Sequence, residues 1–378
     1  MLPACLSYSF NIMTISRINT EDFLNIFLND IPMMDVRAAI EVNKGAFPMS
    51  VNHPLLDDEQ RHEIGIRYKQ AGEQEAIALG LKLFTPDIKA ERMASWQAFC
   101  ESNPEGYLFC FRGGLRSRTT QGWLADAGTD YPLVTGGYKA MRRFLIDELD
   151  NSISSLRMIN ICGPTGSGKT RVLQHINNML DFEGLALHRG SAFGRNMHDL
   201  QPTNIDWENA VSVAMLKHRH RQAGKPLFVE DEGRMIGRVV MADNLANAMT
   251  GNELALVEEP LERRVAMTVE DYITVPWQEY KAEFGEQAAE KFSDYWLGSL
   301  ARIQRRLGGE RYKVLAELFK ISLHDLFSAN DSSGFSEGIE VLLSDYYDPM
   351  YNYQFTKRKG KVIFKGSGAD IIEWANSF

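Results

Sequence analysis

The sequence predicts an α/β protein with two domains, each built on a parallel sheet, followed by a mostly helical segment. Three observations predict this class. The 378 residues exceed one ordinary domain. Short apolar runs alternate with helical stretches over the first two-thirds of the chain, the pattern of strands covered by helices. Two segments, one around Cys110 and one at 163–170, run from strand through glycine loop into helix.

Taken in order, residues 1–13 lack a basic start and a small-residue cleavage site, so they read as a disordered tail or a mis-called start rather than a signal peptide. Residues 14–150 form the first expected domain. It has a buried strand at 31–36, a polar helix at 60–83, a strand at 107–111, a helix at 116–127 ended at Gly128, and a strand at 132–134 closed by Gly136 and Gly137. The polar, Ser-rich run 147–156 marks the junction. The second domain, 151–264, opens with a strand at 157–161 and has further strands at 226–229 and 254–257. Residues 265–378 read as a helical C-terminal extension rich in aromatic and basic residues, ending in a small strand at 361–364.

Composition narrows the function classes. No stretch is apolar enough to span a bilayer. The cysteines Cys5, Cys100, Cys110 and Cys162 show no CxxC spacing, which suits a reducing cytoplasm and argues against a disulfide scaffold or a zinc ribbon. The net charge of −9 disfavours nonspecific nucleic-acid binding but leaves RNA open, because a local basic surface decides binding.

The first chemical constellation is Cys110-Phe111-Arg112-Gly113-Gly114-Leu115-Arg116-Ser117. Gly113 and Gly114 let backbone N–H groups converge on one point. The following helix N-terminus and the guanidinium groups of Arg112 and Arg116 add positive charge. Together they lower a thiolate's pKa and hold an anion beside it, as a nucleophilic or persulfide-carrying cysteine needs. Cys5, Cys100 and Cys162 lack this setting and read as structural.

This region resembles the rhodanese family. Met34-Asp35-Val36-Arg37, then Glu41, Gly45, Pro48, Asn52 and Pro54, follow that family's opening pattern, and Val134-Thr135-Gly136-Gly137-Tyr138 resembles its closing strand. The resemblance implies a loop cysteine that carries a chalcogen. Two departures stand out. Five residues separate Cys110 from Arg116, one more than in common rhodaneses, which is similar to the phosphate-binding loop of cysteine phosphatases. Ala46 stands where a histidine is usual.

The second constellation, Gly163-Pro164-Thr165-Gly166-Ser167-Gly168-Lys169-Thr170, matches GxxxxGK[ST] in its proper strand-to-helix context. Loop N–H groups from Gly163, Gly166 and Gly168, with Lys169, would cradle two linked phosphates, and Thr170 is a candidate Mg²⁺ ligand. The apolar run 226–229 ends in Glu230-Asp231-Glu232, where Asp231 is the candidate partner acid. No water-positioning base for nucleotide hydrolysis is visible, and no metal-binding cluster is read from the sequence.

Three further segments are candidates for RNA or phosphate contact: the loop 188–195, the arginines Arg302, Arg305, Arg306 and Arg311, and the tyrosines of 345–353 before Lys357-Arg358-Lys359. Each also reads as ordinary loop, solvated helix face or helix packing.

The ordered set of the Cys110 loop, the 163–170 loop, His188-Arg189-Gly190-Ser191-Ala192-Phe193-Gly194, Glu230-Asp231-Glu232-Gly233-Arg234-Met235-Ile236-Gly237 and Tyr346-Tyr347-Asp348-Pro349-Met350-Tyr351 resembles bacterial tRNA 2-selenouridine synthases across residues 14–375. The resemblance implies a rhodanese-like domain joined to a P-loop NTPase-like domain. It implies a cytoplasmic transferase whose partner is tRNA, at the wobble uridine of the anticodon, with the C-terminal extension as a tRNA-contacting segment. Selenophosphate and geranyl diphosphate are the implied cosubstrates, passing through an S-geranyl-2-thiouridine intermediate, with Cys110 as selanyl carrier. An enzyme supplying selenophosphate is a candidate partner. A cysteine-dependent phosphatase or sulfurtransferase with a nucleotide-binding regulatory domain, and a non-enzymatic RNA-binding module, are the alternatives.

Overall fold

The computed structural model describes residues 17–195, 197–198 and 200–378. The expected tail 1–13, with Cys5, lies outside the described residues. The chain is α/β with parallel sheets, and it divides into two compact units between Phe144 and Leu145. The Ser-rich run 147–156, read from sequence as a junction, is helical to Ser155 as the end of the helix Gly137–Ser155. Its serines stay compatible with a helix by back-bonding: Ser154 Oγ donates to Asp150 O at 2.8 Å and Ser155 Oγ to Asn151 O at 2.6 Å. No helix among the described residues is long and apolar enough to cross a membrane.

The first unit holds β1 (Met33–Asp35), β2 (Ser50–Asn52) and β3 (Tyr107–Phe109), all parallel in the order β2-β1-β3. The strand expected at 132–134 is reduced to single parallel bridges, Leu108 with Leu133 and Thr20 with Val134. Gly136 and Gly137, both at positive φ, turn the chain at once into the next helix. The helix expected over 60–83 is two, Asp58–Ala71 and Glu73–Leu83, broken at Gly72 where φ is +86°. Sequence reading did not anticipate a third helix, Pro86–Ser102, which buries Trp96 and Phe99. Met34, Val36, Leu108 and Leu124 complete that core.

One buried ion pair organises the loops at the top of this sheet. Arg37 Nη2 lies 2.6 Å from Asp35 Oδ2, with both side chains 1% exposed. Arg37 also donates to Gly45 O at 2.9 Å and sits 3.9 Å from the centroid of the Tyr138 ring. Asn52 Nδ2 donates to Asp35 O and Arg37 O. The residues that carried the sequence pattern, Asp35, Arg37, Gly45 and Asn52, are therefore one hydrogen-bonded network.

The second unit holds β4 (Met158–Cys162), β5 (Met179–Leu180), β6 (Leu227–Glu230), β7 (Met235–Ile236), β8 (Val239–Val240), β9 (Glu253–Val257) and β10 (Val362–Gly366). Five of them form a parallel sheet in the order β10-β9-β4-β6-β5, while β7 and β8 pair as a small antiparallel hairpin. Central β4 is buried along its whole length, as a strand covered on both faces must be. Its one polar side chain, Asn160, is satisfied by Asp231 Oδ1, Met249 O and Asn252 Nδ2. The mostly helical run after Leu261 has its own aromatic core around Trp277, Phe292, Trp296, Phe319 and Phe335. Its last segment returns to the sheet: β10 pairs with β9, and Ile371 and Ala375 pack with Val172 and Leu173.

Replacing Arg37 by Met leaves Asp35 sealed from water without its partner. This should cost the first unit about 3–5 kcal/mol, read as faster native-state hydrogen exchange of the β1 and β3 amides. Unchanged exchange would show that the pair does not hold the unit together.

Candidate active site

The Cys110 loop leaves β3 and enters the helix Leu115–Asp126. The loop is anchored by its own carbonyls: Cys110 O accepts from Tyr138 N and Phe111 O from Lys139 N, each at 2.9 Å. This ends the strand two residues earlier than the apolar pattern predicts. Gly113 is at φ +65°, and a Cβ there would lie 2.7 Å from Gly136 N, so the turn requires glycine.

Cys110 is buried. Burial opposes a charged sulfur, but the Ser117 hydroxyl, the N–H groups of Arg112 and Ser117, and the charge of Arg116 outweigh it and hold the thiol below its ordinary pKa. Ser117 was not singled out from sequence. It is fully buried, and among the described residues its Oγ has no other hydrogen-bond partner, which leaves it to the sulfur. Burial pushes Cys100 and Cys162 the other way, each up to about 12.

The two loop arginines have different surroundings. Arg116 grips Glu41, with Nη1 to Oε2 at 2.5 Å and Nη2 to Oε1 at 3.1 Å, and Arg61 approaches the same carboxylate at 3.3 Å. Arg112 is exposed. Arg116 thus supplies a fixed positive charge near the sulfur, while the Arg112 side chain faces solvent.

In the second unit, β4 runs into the 163–170 loop and the helix Lys169–Gln174. Gly166 is at φ +79°, and a Cβ there would lie 2.5 Å from Thr268 Oγ1. Lys169 Nζ donates to Gly163 O at 3.0 Å, curled over its own loop. Arg264 braces the loop from outside. Its Nε and Nη2 donate to Thr165 O, and its guanidinium is held by Asp348 at 2.6 Å.

Asp231 lies near Lys169, but its carboxylate accepts from Asn160 at 3.0 Å and pairs with Arg358 at 2.8 Å; burial raises its pKa against both. Its neighbours are the less committed acids. Burial, with Asp181, Glu183 and Glu232 nearby, pushes Glu230 up to about 10. Among the described residues, Glu230 Oε1 has no partner. Glu183, unmarked in the sequence, accepts from Thr170 Oγ1 at 3.2 Å and from Gly190 N. Among the described residues no group of three or more His, Cys, Asp and Glu is placed to hold a metal ion.

The loop 188–195 is brought to this site. Together with Thr170, Glu183, Tyr272 and Tyr295, His188 and Arg189 line a cavity of about 470 Å³. Arg189 Nη1 donates to Asp271 O at 2.6 Å, and Phe193 packs on Trp296. The other candidates are less concentrated. Arg302 donates to Ala192 O and Ser299 Oγ, and Arg311 pairs with Asp345. Arg305 and Arg306 are exposed. Tyr346 and Tyr347 are buried, while Tyr353 is exposed under Lys357 Nζ, which lies 4.0 Å from the ring centroid.

Similarity to known proteins covers both sites. A family model described as the tRNA 2-selenouridine synthase AAA domain matches residues 156–378. A tRNA 2-selenouridine synthase of Marinobacter nauticus is 50% identical over 363 residues, 96% of this chain and 98% of its own. That of Alcanivorax borkumensis is 47% identical over 96% of this chain and 99% of its own, and that of Shewanella piezotolerans 43% over 97% and 100%.

Alkylation of Cys110 by iodoacetamide, followed by peptide mass mapping, should rise with pH through a midpoint below that of an ordinary thiol, about 8.5. Replacing Ser117 by Ala should move that midpoint upward. A midpoint at or above the ordinary value in the unaltered protein would contradict the assigned electrostatics.

Proposed function

The chain belongs to the tRNA 2-selenouridine synthase family, and from that premise we propose that it exchanges sulfur for selenium at the wobble 2-thiouridine of tRNA, in two steps on two loops. The observation that carries the reading is the pairing, on one chain, of a thiol held below its ordinary pKa with a complete phosphate-binding loop. The first unit is rhodanese-like in this reading, which its parallel strands and its cysteine loop between strand and helix support.

In the first step geranyl diphosphate alkylates the 2-thio sulfur and diphosphate leaves. The 163–170 loop suits two linked phosphates, with Lys169 swinging from Gly163 O onto the ligand. Mg²⁺ fits the hard oxygen donors here. Thr170 and Glu183 would hold it jointly with the phosphates, the usual mode for this ion, and it would neutralise charge on the leaving diphosphate. In the second step selenophosphate and water yield 2-selenouridine, geranylthiol and phosphate. Alkylation turns a poor leaving group into a thiol that departs with the C–S electron pair. Water attacks phosphorus and the P–Se bond breaks with its electron pair on selenium. The selenium joins Cys110 Sγ as a selanyl adduct, with two electrons passing to a disulfide. A thiol returns them when the S–Se bond is cleaved after attack of selenium at C2, so the sum is redox-neutral. Arg112, the loop N–H groups and the helix N-terminus hold the phosphate half of the donor. The reaction belongs in the cytoplasm, where tRNA and reduced thiols coexist.

Two variants separate the steps. With Cys110→Ser, mass analysis of tRNA nucleosides should find S-geranyl-2-thiouridine accumulating and 2-selenouridine absent. With Lys169→Ala, both nucleosides should fall together. Selenouridine formed at the normal level by the serine variant, or full geranylation by the alanine variant, would refute the corresponding assignment.

A further inference from the structure

A cavity of about 700 Å³ in the first unit opens beside the Cys110 loop. The helices Asp58–Ala71 and Glu73–Leu83 form one wall and the helix Leu115–Asp126 the other. Its floor is apolar, with Leu56, Ile64, Ile77, Phe84 and Trp123. The apolar surface continues into solvent: Leu81 is 63% exposed, Leu115 53% and Ile66 43%. Exposed aliphatic side chains gathered at one cleft mark a binding surface rather than a random scatter. Charged groups rim the cleft: Arg61, Lys69, Arg112 and Arg116 line it together with Glu41 and Glu73, so cations outnumber acids, and Arg61 and Arg116 share the Glu41 carboxylate. Its size is that of a small-molecule site.

This combination selects an occupant with an apolar body joined to a polyanion. Arg112, Leu115 and Arg116 belong to the loop and helix start that carry Cys110, so whatever lies in the cleft is held next to the sulfur. We propose that the cleft receives the S-linked alkyl chain of the tRNA substrate during selenium transfer, a branched hydrocarbon of geranyl size, while the flanking cations meet the nucleotide phosphates. This inference rests on the S-geranyl reading above and deepens it. The chain made at the phosphate-binding loop becomes the handle by which the Cys110 loop recognises its substrate. It also accounts for an apolar surface that a donor as polar as selenophosphate would not require.

The test uses the full-length protein, selenophosphate, and anticodon stem-loops carrying either S-geranyl- or S-methyl-2-thiouridine. The unaltered protein should selenate the geranyl substrate with a kcat/KM at least about tenfold above the methyl one, since even a single methylene in an apolar pocket is worth about that much. The Ile66→Gln, Leu81→Gln double variant changes exposed positions and should keep its fold; its two rates should converge. Ile77→Trp, which narrows the cleft, should reject the geranyl substrate while still accepting the methyl one. If the unaltered protein prefers the geranyl substrate and all the variants keep that preference, the cleft is not the site, although the S-geranyl reading stands. If the unaltered protein selenates neither alkylated substrate, that reading fails and the cleft assignment falls with it.

Discussion

Arg37 is sealed from water, and its donors go to Asp35 and to the backbone carbonyl of Gly45. A buried guanidinium can survive only if its hydrogen bonds are satisfied, so it fixes every group that satisfies them. Asn52 ties the same knot from the neighbouring strand. The second unit uses the same device at its own loop. Arg264, only 6% exposed, gives two hydrogen bonds to Thr165 O and two to Asp348. In the second unit the buried arginine braces the glycine-rich 163–170 loop directly, restricting a turn that would otherwise sample many conformations. In the first, Arg37 fixes the segments around Asp35 and Gly45, while the Cys110 loop is held by Tyr138 N and Lys139 N.

The two loops suit different chemistry. The Cys110 loop gathers positive charge and hydrogen-bond donors around a soft, polarisable sulfur, which holds its pKa below the ordinary value. The 163–170 loop has a lysine curled on itself, and burial, reinforced by Asp181, Glu183 and Glu232, pushes the nearby Glu230 up to about 10. One loop surrounds its sulfur with hydrogen-bond donors, and the other gathers buried acids beside a lysine that donates to its own backbone.

Much of this was legible in the sequence where the determinants are contiguous. The Cys110 and 163–170 loops are local runs, and each lies between strand and helix as its pattern requires. What was not legible arrives from far along the chain. Glu41 reaches Arg116 across 75 residues, and Arg264 reaches Thr165 across 99. No local signal marks either encounter. Ser117 was in view as part of the motif, but its role depends on burial, which a hydroxyl's neighbours in sequence do not reveal. The tyrosines near 346–353 show the converse: composition suggested a stacking surface, and burial of Tyr346 and Tyr347 took two of them into the core.

The strand β10 joins the edge of the second sheet after a long excursion through helices that build their own core. Such a pairing carries a large loop-closure cost and forms late. Domains of a nascent chain fold in the order in which they emerge. The last strand of the first sheet ends at Phe109, whereas the second sheet waits for residue 366. During synthesis the first sheet is therefore complete while the second still lacks its edge strand, and a chain cut short before residue 362 would keep the Cys110 loop but lose the strand that closes the second sheet.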